Sequence, residues 1–256
     1  LKNHYESADE KTSFDFLKKY LTVHSSELFF SDKIIFIEGT TERILLPAIM
    51  KKIDMDKKAD EDYSPLLSQK ISIVEVGAHS KIFEKFLKFL EIKTLIITDI
   101  DSVKGKNNKA CRVSKGADTS NSSLKHFLEK SFEELKKLPL EDTDRVVDRG
   151  GASVYLSFQN KVEKDEGGDK VYYHARSFED AFLFINLDFV KNNRKEFSSL
   201  KPVNFKKEIE KDEIDFYKLA DCIESKSSFA TETLFYSDDK NSNWDVPKYI
   251  KKGLLW

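Results

Sequence analysis

The chain has 256 residues, of which 39% are hydrophobic and 34% charged, which suits a globular fold large enough to bury a substantial core. Its 43 basic and 45 acidic residues give a formal charge of −2, which excludes a general polyanion-binding coat but leaves room for a local basic groove. Two cysteines, Cys111 and Cys222, without CxxC spacing exclude a disulfide scaffold or a zinc site and point to a reduced, cytoplasmic setting.

Residues 10 to 30 read as a helix from the spacing of Phe14, Leu17, Leu21, Leu28 and Phe29. "KIIFIE" (33–38) is a buried strand. Residues 40 to 52 follow as a helix with Thr40 or Thr41 as N-cap, and Pro47 predicts a kink or a later first turn. The charged stretch 51–65 reads as an exposed loop, and "KISIVEV" (70–76) as a second strand. "SKIFEKFLKFL" (80–90) is an amphipathic helix with Ile82, Phe86 and Phe89 on one face and Phe83, Leu87 and Leu90 beside them. "KTLIITDID" (93–101) is a third strand that ends in acid. Apolar strands alternating with helices predict a parallel sheet covered on both faces.

Residues 102–123 are polar and turn-rich, and 123–138 read as a helix. "SVYLSFQNKV" (153–162) and "KVYYHARS" (170–177) read as a strand pair joined by an "EKDEGGD" turn. Residues 177–193 form a strongly apolar helix, and the chain beyond Lys195 is charged and helical. There is no internal repeat, and no apolar run approaches the ~20 residues that span a bilayer. The N-terminus has no apolar signal core. It begins with Leu and not Met, so a piece of a longer protein, or a processed or trimmed chain, is expected.

Ligands of open parallel sheets gather outside the carboxyl ends of the strands. Two strands here end in acid: Glu38, with Glu42 one helical turn on, and Asp99 with Asp101. Residues two apart on a strand share a side, so Asp99 and Asp101 would reach out together if the strand holds through Asp101. Like charges ~4 Å apart cost roughly 4 kcal/mol at an effective dielectric near 20. A divalent cation removes that cost, and an all-oxygen donor set favours Mg²⁺ or Mn²⁺. Gly39 between the acids would let the backbone turn and keep bulk away from a bound phosphate. Acids at strand ends also serve as helix caps, and Glu42 would equally suit a helix N-terminus; the spacing leaves both open. His79, His126 and His174 have no motif spacing.

"FIEGTTE" followed by "IITDIDS" resembles the Toprim domain of topoisomerases, primases and some nucleases. "ELFFSDKIIFIEGTTERILLPAI", "KGADTSNSSLKHF", "RSFEDAFLF", "KSSFATETL" and "WDVPKYIKKGLLW" narrow the resemblance to the nuclease half of the overcoming-lysogenisation-defect (OLD) family, over about residues 25 to 256. The resemblance implies an α/β, Toprim-like, mostly parallel sheet with helices on both faces and a helical C-terminal extension. It implies a lead-in over 1–30, a catalytic domain over 31–195 and an extension over 196–256 that carries a catalytic lysine. It implies a DNA endonuclease that uses two Mg²⁺ or Mn²⁺ ions. Glu38, Glu42, Asp99, Asp101, Glu179 and Ser177 would be metal ligands, and Glu38, Asp99 and Lys226 catalytic.

Lys115, Ser120, Asn121 and Lys125 would meet DNA phosphates, although Asp118 to Ser122 also suit a turn and an N-cap, and Ser177 and Asp180 a helix start. The expected partners are DNA, an N-terminal ABC-type ATPase segment and, if the role is phage defence, a second defence protein; a homodimer is compatible and a membrane is not. The alternatives are a non-catalytic DNA-binding or regulatory Toprim module, or a primase- or topoisomerase-type enzyme. For the last, no tyrosine stands out as a nucleophile.

Overall fold

The computed structural model describes residues 15, 17–19, 26–141, 143–166 and 168–256. The helix expected over 10–30 lies largely outside them; Ser26–Phe30 is a short 3-10 turn.

The first apolar run forms β1 (Lys33–Ile37), followed by α1 (Thr40–Asp56), β2 (Ile71–Glu75), α2 (Glu84–Leu90) and β3 (Lys93–Ile97). The chain then leaves the sheet for a small three-stranded one, β4 (Ser102–Lys104), β5 (Lys109–Ala110) and β6 (Asp118–Thr119). Helices α3 (Ser122–Leu128) and α4 (Phe132–Lys137) return it to the main sheet as β7 (Val146–Asp148) and β8 (Ser153–Ser157). A hairpin of β9 (Lys161–Glu166) and β10 (Asp169–His174) precedes α5 (Phe178–Ile185), α6 (Leu187–Asn193), α7 (Pro202–Ile209), α8 (Phe216–Ala220), α9 (Lys226–Phe235) and α10 (Lys248–Leu254).

The main sheet runs β2-β1-β3-β8-β7. Its first four strands are parallel and β7 is antiparallel at the edge. Alternate residues of β1 feed opposite cores, as a doubly covered sheet requires. Ile35 and Ile37 pack with Leu45 and Ile49 of α1 and with Phe182, Phe229 and Trp244. Ile34 and Phe36 pack with Phe83, Phe86, Leu124 and Phe127 on the other face. Helix α10 approaches the sheet so closely that a Cβ on Gly253 would meet Leu95 at 2.8 Å and Ser157 at 2.9 Å. Among the described residues, no helix is long and apolar enough to cross a membrane.

Several local expectations need correction. Helix α1 runs four residues beyond 52 and passes through Pro47, and its N-cap is Gly39 with no side-chain cap from either threonine. Strand β3 stops at Ile97, so Asp99 and Asp101 lie on the loop beyond it. The region 80–90 is a 3-10 segment followed by α2, and Phe89 is 49% exposed. The turn-rich stretch 102–123 contains the small sheet. The helix expected over 123–138 is two, broken where Glu129 turns left-handed. The helix over 177–193 divides at Asn186. The hairpin partner of β10 is β9 and not β8, which instead pairs with β3 in the main sheet.

Candidate functional site

The register of β1 against β3 pairs Ile35 with Leu95 and Phe36 with Ile96, which carries Glu38 alongside Thr98. Strand β2 lies on one side of β1 and β3 on the other. The chain therefore reverses its direction of spread between β1 and β3, the position at which open sheets form a crevice. The Thr98 hydroxyl donates to Glu38 Oε1, and Asn121 Nδ2 donates to the same oxygen at 2.8 Å.

Glu42 stands in the first turn of α1 and is buried. Asp99 is buried just past β3, where Gln159 Nε2 donates to its Oδ1 at 2.6 Å. Glu179, 3% exposed, comes from the first turn of α5. It accepts from Thr41 Oγ1 at 3.2 Å and from Lys226 Nζ at 2.9 Å. Lys226 opens α9, which packs against α1. Asp101 adopts φ 46°, a left-handed backbone that aspartate tolerates better than most residues. Its carboxylate pairs with Arg176 at 2.6 Å.

Burial is the main cause of the acidity changes. It pushes the Glu42 carboxyl up to about 8, with the charges of Glu179 and Glu38 adding to the rise and Lys226 opposing it. Burial also raises Asp99 well above the carboxylate range, reinforced by Glu38, Glu42, Glu179 and Asp101. Glu38 is raised by burial against the donors Thr98 and Asn121, and Asp101 by burial against the Arg176 charge. Burial works to lower Lys226, but the charge and hydrogen bond of Glu179 outweigh it and the ammonium is stabilised.

Two hollows adjoin at this point. One, of about 380 Å³, is lined by Glu38, the 39–42 turn, Asp99, Glu179, Lys226 and Ser227. The other, of about 350 Å³, adds Asp101, Ala110, Arg176 and Ser177 to the same Glu38, Asp99, Glu179 and Lys226. Those four residues form the shared wall. Among the described residues, no three carboxylate, imidazole or thiolate groups already converge tightly enough to hold one ion. The donor set nonetheless suits hard divalent cations. It is all oxygen, and Glu38, Glu42, Asp99 and Glu179 face one ammonium, Lys226, with Asp101 already paired to Arg176.

The structure therefore brings together Glu38, Glu42, Asp99, Asp101, Glu179 and Lys226. Ser177 borders the second hollow, and its hydroxyl donates to Asp180 at 3.0 Å in a capping box. Asp180 also accepts from Tyr173 and from the Arg176 and Ser177 backbone, so it builds the start of α5. Asn121 needs correction as a DNA contact. It is 2% exposed, its amide hydrogens serve Glu38 and the Asp99 carbonyl, and its oxygen caps α3. Lys125 is held by Asp118 at 2.6 Å, Ser120 donates to the Asp101 carbonyl, and Lys115 is exposed. Gly39 is extended at φ −151°, so its backbone does not require glycine; a Cβ there would make ordinary contact with Glu42 at 3.5 Å.

Sequence reasoning missed the roles of Thr41, Thr98, Gln159 and Arg176, and of Tyr249 on α10, whose hydroxyl lies 3.2 Å from Gln159 Nε2. Gln159 follows β8 at the same carboxyl edge of the sheet, a placement that the fold gives and the sequence does not.

Residues 29–101 match the family described as overcoming lysogenization defect protein-like, TOPRIM domain. An endonuclease of Bacillus cereus (strain HuB5-5), GajA, is 32% identical over 258 residues, covering 94% of this chain and 33% of the relative. The chain thus spans about a third of the length of that curated relative. Among solved structures, the C-terminal region of a Burkholderia pseudomallei OLD protein is 18% identical at a TM-score of 0.48, covering 88% of this chain and 96% of that one. The corresponding region from Xanthomonas campestris pv. campestris is 20% identical at 0.47, covering 90% and 93%.

Proposed function

The chain carries an OLD-type Toprim domain over residues 29–101, and from that premise we propose that it is a divalent-metal-dependent DNA endonuclease. The observation that carries this reading is the convergence of four buried or half-buried carboxylates from three chain segments on one cleft, against one lysine. Water-excluded carboxylates in that number repel one another, and ions of opposite charge relieve the repulsion.

Glu38, Glu42, Asp99, Asp101 and Glu179, with Ser177 beside them, would hold two Mg²⁺ or Mn²⁺ ions; when bound, such ions supply an activated water and neutralise charge on the scissile phosphate and its leaving oxygen. The remaining work belongs to the chain. Thr98 and Asn121 hold the Glu38 carboxylate by donating to it. Gln159 does the same for Asp99. Glu179 tethers the Lys226 ammonium on the wall shared by the two hollows, where a phosphate lying across both would meet it. A fixed positive charge at that place favours the more negative transition state over the ground state.

Residues 31–195 would then act as the catalytic unit and 196–256 as an extension that delivers Lys226, following a lead-in over 1–30. The aromatic residues of the extension share the core of the sheet, so the extension is part of one folding unit. The fuller setting we propose is a longer protein in which an ABC-type ATPase segment precedes this one, acting on DNA in phage defence.

Supercoiled plasmid tests the reading. The chain nicks or linearises it with Mn²⁺ or Mg²⁺ and stops with chelator, and Glu38→Ala or Asp99→Ala removes cleavage while circular dichroism is unchanged. Cleavage that persists in chelator, or in either folded variant, would falsify it.

A further inference from the structure

The loop that carries Asp101 runs directly into β4, and the returning strand β5 ends at Ala110, which lines the second hollow. The hairpin between them, "SVKGKNNKA", is therefore rooted at the edge of the cleft. Its tip is a tight turn, with Gly105 and Asn108 left-handed and the Asn108 N–H donating to the Gly105 carbonyl at 3.2 Å. Val103 is buried at its base, and residues 104–110 are exposed.

Lys104 and Lys109 are direct cross-strand partners. Two like charges in that relation destabilise a hairpin unless something of opposite sign covers them. Among the described residues, no carboxylate pairs with Lys104, Lys106 or Lys109, and the acids around the small sheet are already engaged. Asp101 is taken by Arg176, Asp118 by Lys125 and Asp215 by Arg112. A short, stiff arm with three uncovered ammonium groups thus projects from the rim of a cleft suited to a phosphodiester. At ~3.3 Å per extended residue, Lys104 lies within roughly 10 Å of chain from Asp101. That reach corresponds to about three nucleotides of one strand at 3.4 Å each.

We propose that the β4–β5 hairpin is a clamp on the DNA backbone, in which Lys104, Lys106 and Lys109 contact phosphates flanking the one held in the cleft. The clamp rests on the reading of the cleft as a DNA-binding site, and it assigns substrate affinity and register to a segment outside the acidic cluster. Its contacts are sequence-independent, because phosphates position a duplex without reporting its bases.

Binding of the 256-residue chain to a fluorescein-labelled 30-base-pair duplex, followed by anisotropy in EDTA over a series of KCl concentrations, tests it. Each phosphate neutralised contributes about 0.9 to the slope of log K against log salt. The triple variant Lys104→Ala/Lys106→Ala/Lys109→Ala loses about 2 to 3 from that slope, the triple Lys→Arg variant keeps it, and Lys206→Ala/Lys207→Ala on α7 leaves it unchanged. An unaltered slope in the folded alanine triple overturns the clamp. So does an equal loss in the α7 variant, which would mean that only overall charge matters. Because binding is read without cleavage, the salt slope decides the role of the hairpin even in a chain that lacks nuclease activity. A chain that cuts DNA with a slope indifferent to the hairpin refutes the clamp alone.

Discussion

Gln159 donates to Asp99 Oδ1 at 2.6 Å while its own carbonyl accepts the Ile100 backbone N–H at 2.8 Å. The backbone donor beside Asp99 fixes which way the amide points, so the NH₂ group must face the carboxylate. The same nitrogen lies 3.2 Å from the Tyr249 hydroxyl. Burial, followed by the charges of Asp99 and Glu42, holds that phenol protonated far beyond neutral pH. A strand end, a loop and the last helix thereby meet at one acid.

Gln159→Leu keeps the volume and removes the donor. Groups that orient a metal-binding carboxylate typically cost 10- to 100-fold in metal affinity or activity when lost. The expected outcome is a Mn²⁺ requirement for plasmid nicking that rises by about that factor, together with a loss of about 1–3 kcal/mol in stability from the unpaired Ile100 N–H. A variant with wild-type metal dependence would show that the contact is only structural.

Lys226 is tied to Glu179, yet its side chain is 64% exposed, so it is available to a ligand. Lys226→Met is expected to lower the cleavage rate by about 10²-fold or more, the scale on which preorganised charge acts on a transition state. Duplex affinity in chelator should change little, because one phosphate contact at most is lost. Equal losses in binding and in turnover would reassign this lysine to substrate capture.

Glu42 gives a pH prediction. Its folded value, about 8, lies above the ordinary 4.5, so the folded state binds the proton more tightly than the unfolded state does. Its contribution to stability is fully present below about 4.5 and is lost as pH rises through about 8. In EDTA the melting temperature should fall between about pH 5 and 8, and Mg²⁺ or Mn²⁺ should flatten the fall. Glu42→Gln, which cannot ionise, should make the fall shallower without metal, with Asp99, Glu38 and Asp101 keeping the rest of it. A melting temperature that climbs across this range in the wild type but not in Glu42→Gln contradicts the assignment.

The parallel sheet was legible because its strands are short runs of buried β-branched residues, and Glu38 and Asp99 because they end such runs. The helix breaks were not. Glu129 and Asn186 interrupt helices without glycine or proline, and the one local signal at the first break, the Ser131–Glu134 capping box, lies two residues beyond it. The strand expected over 153–162 hid a change of character, from the buried "SVYLS" to the charged "KVEKDE", and that change divides it. Asn121 read equally as a phosphate contact or as part of a turn and N-cap; it is the N-cap of α3, and only the tertiary fold turns its amide hydrogens inward to hold Glu38. Gln159 could not be placed because nothing in the chain says that β8 lies next to β3.

Gly253 tests how tightly the last helix is seated. A methyl group there would sit 2.8–3.0 Å from Leu95 and Ser157, in the middle of the sheet. Gly253→Ala is expected to cost about 1–3 kcal/mol in chemical denaturation, as overpacking of a filled core does. A neutral result would mean that α10 shifts outward freely, and nicking activity would show whether Tyr249 moves with it.

The seating of α10 and α9 has a consequence for biosynthesis. Glu38, Glu42 and Asp99 leave the ribosome long before Lys226 and Tyr249, which arrive from α9 and α10 to complete the same cleft. A partly translated chain holds the acids without the ammonium or the buttress behind Asp99. A chain that ends upstream of α9 therefore carries a cleft whose acids face no lysine and whose Gln159 lacks its phenol neighbour.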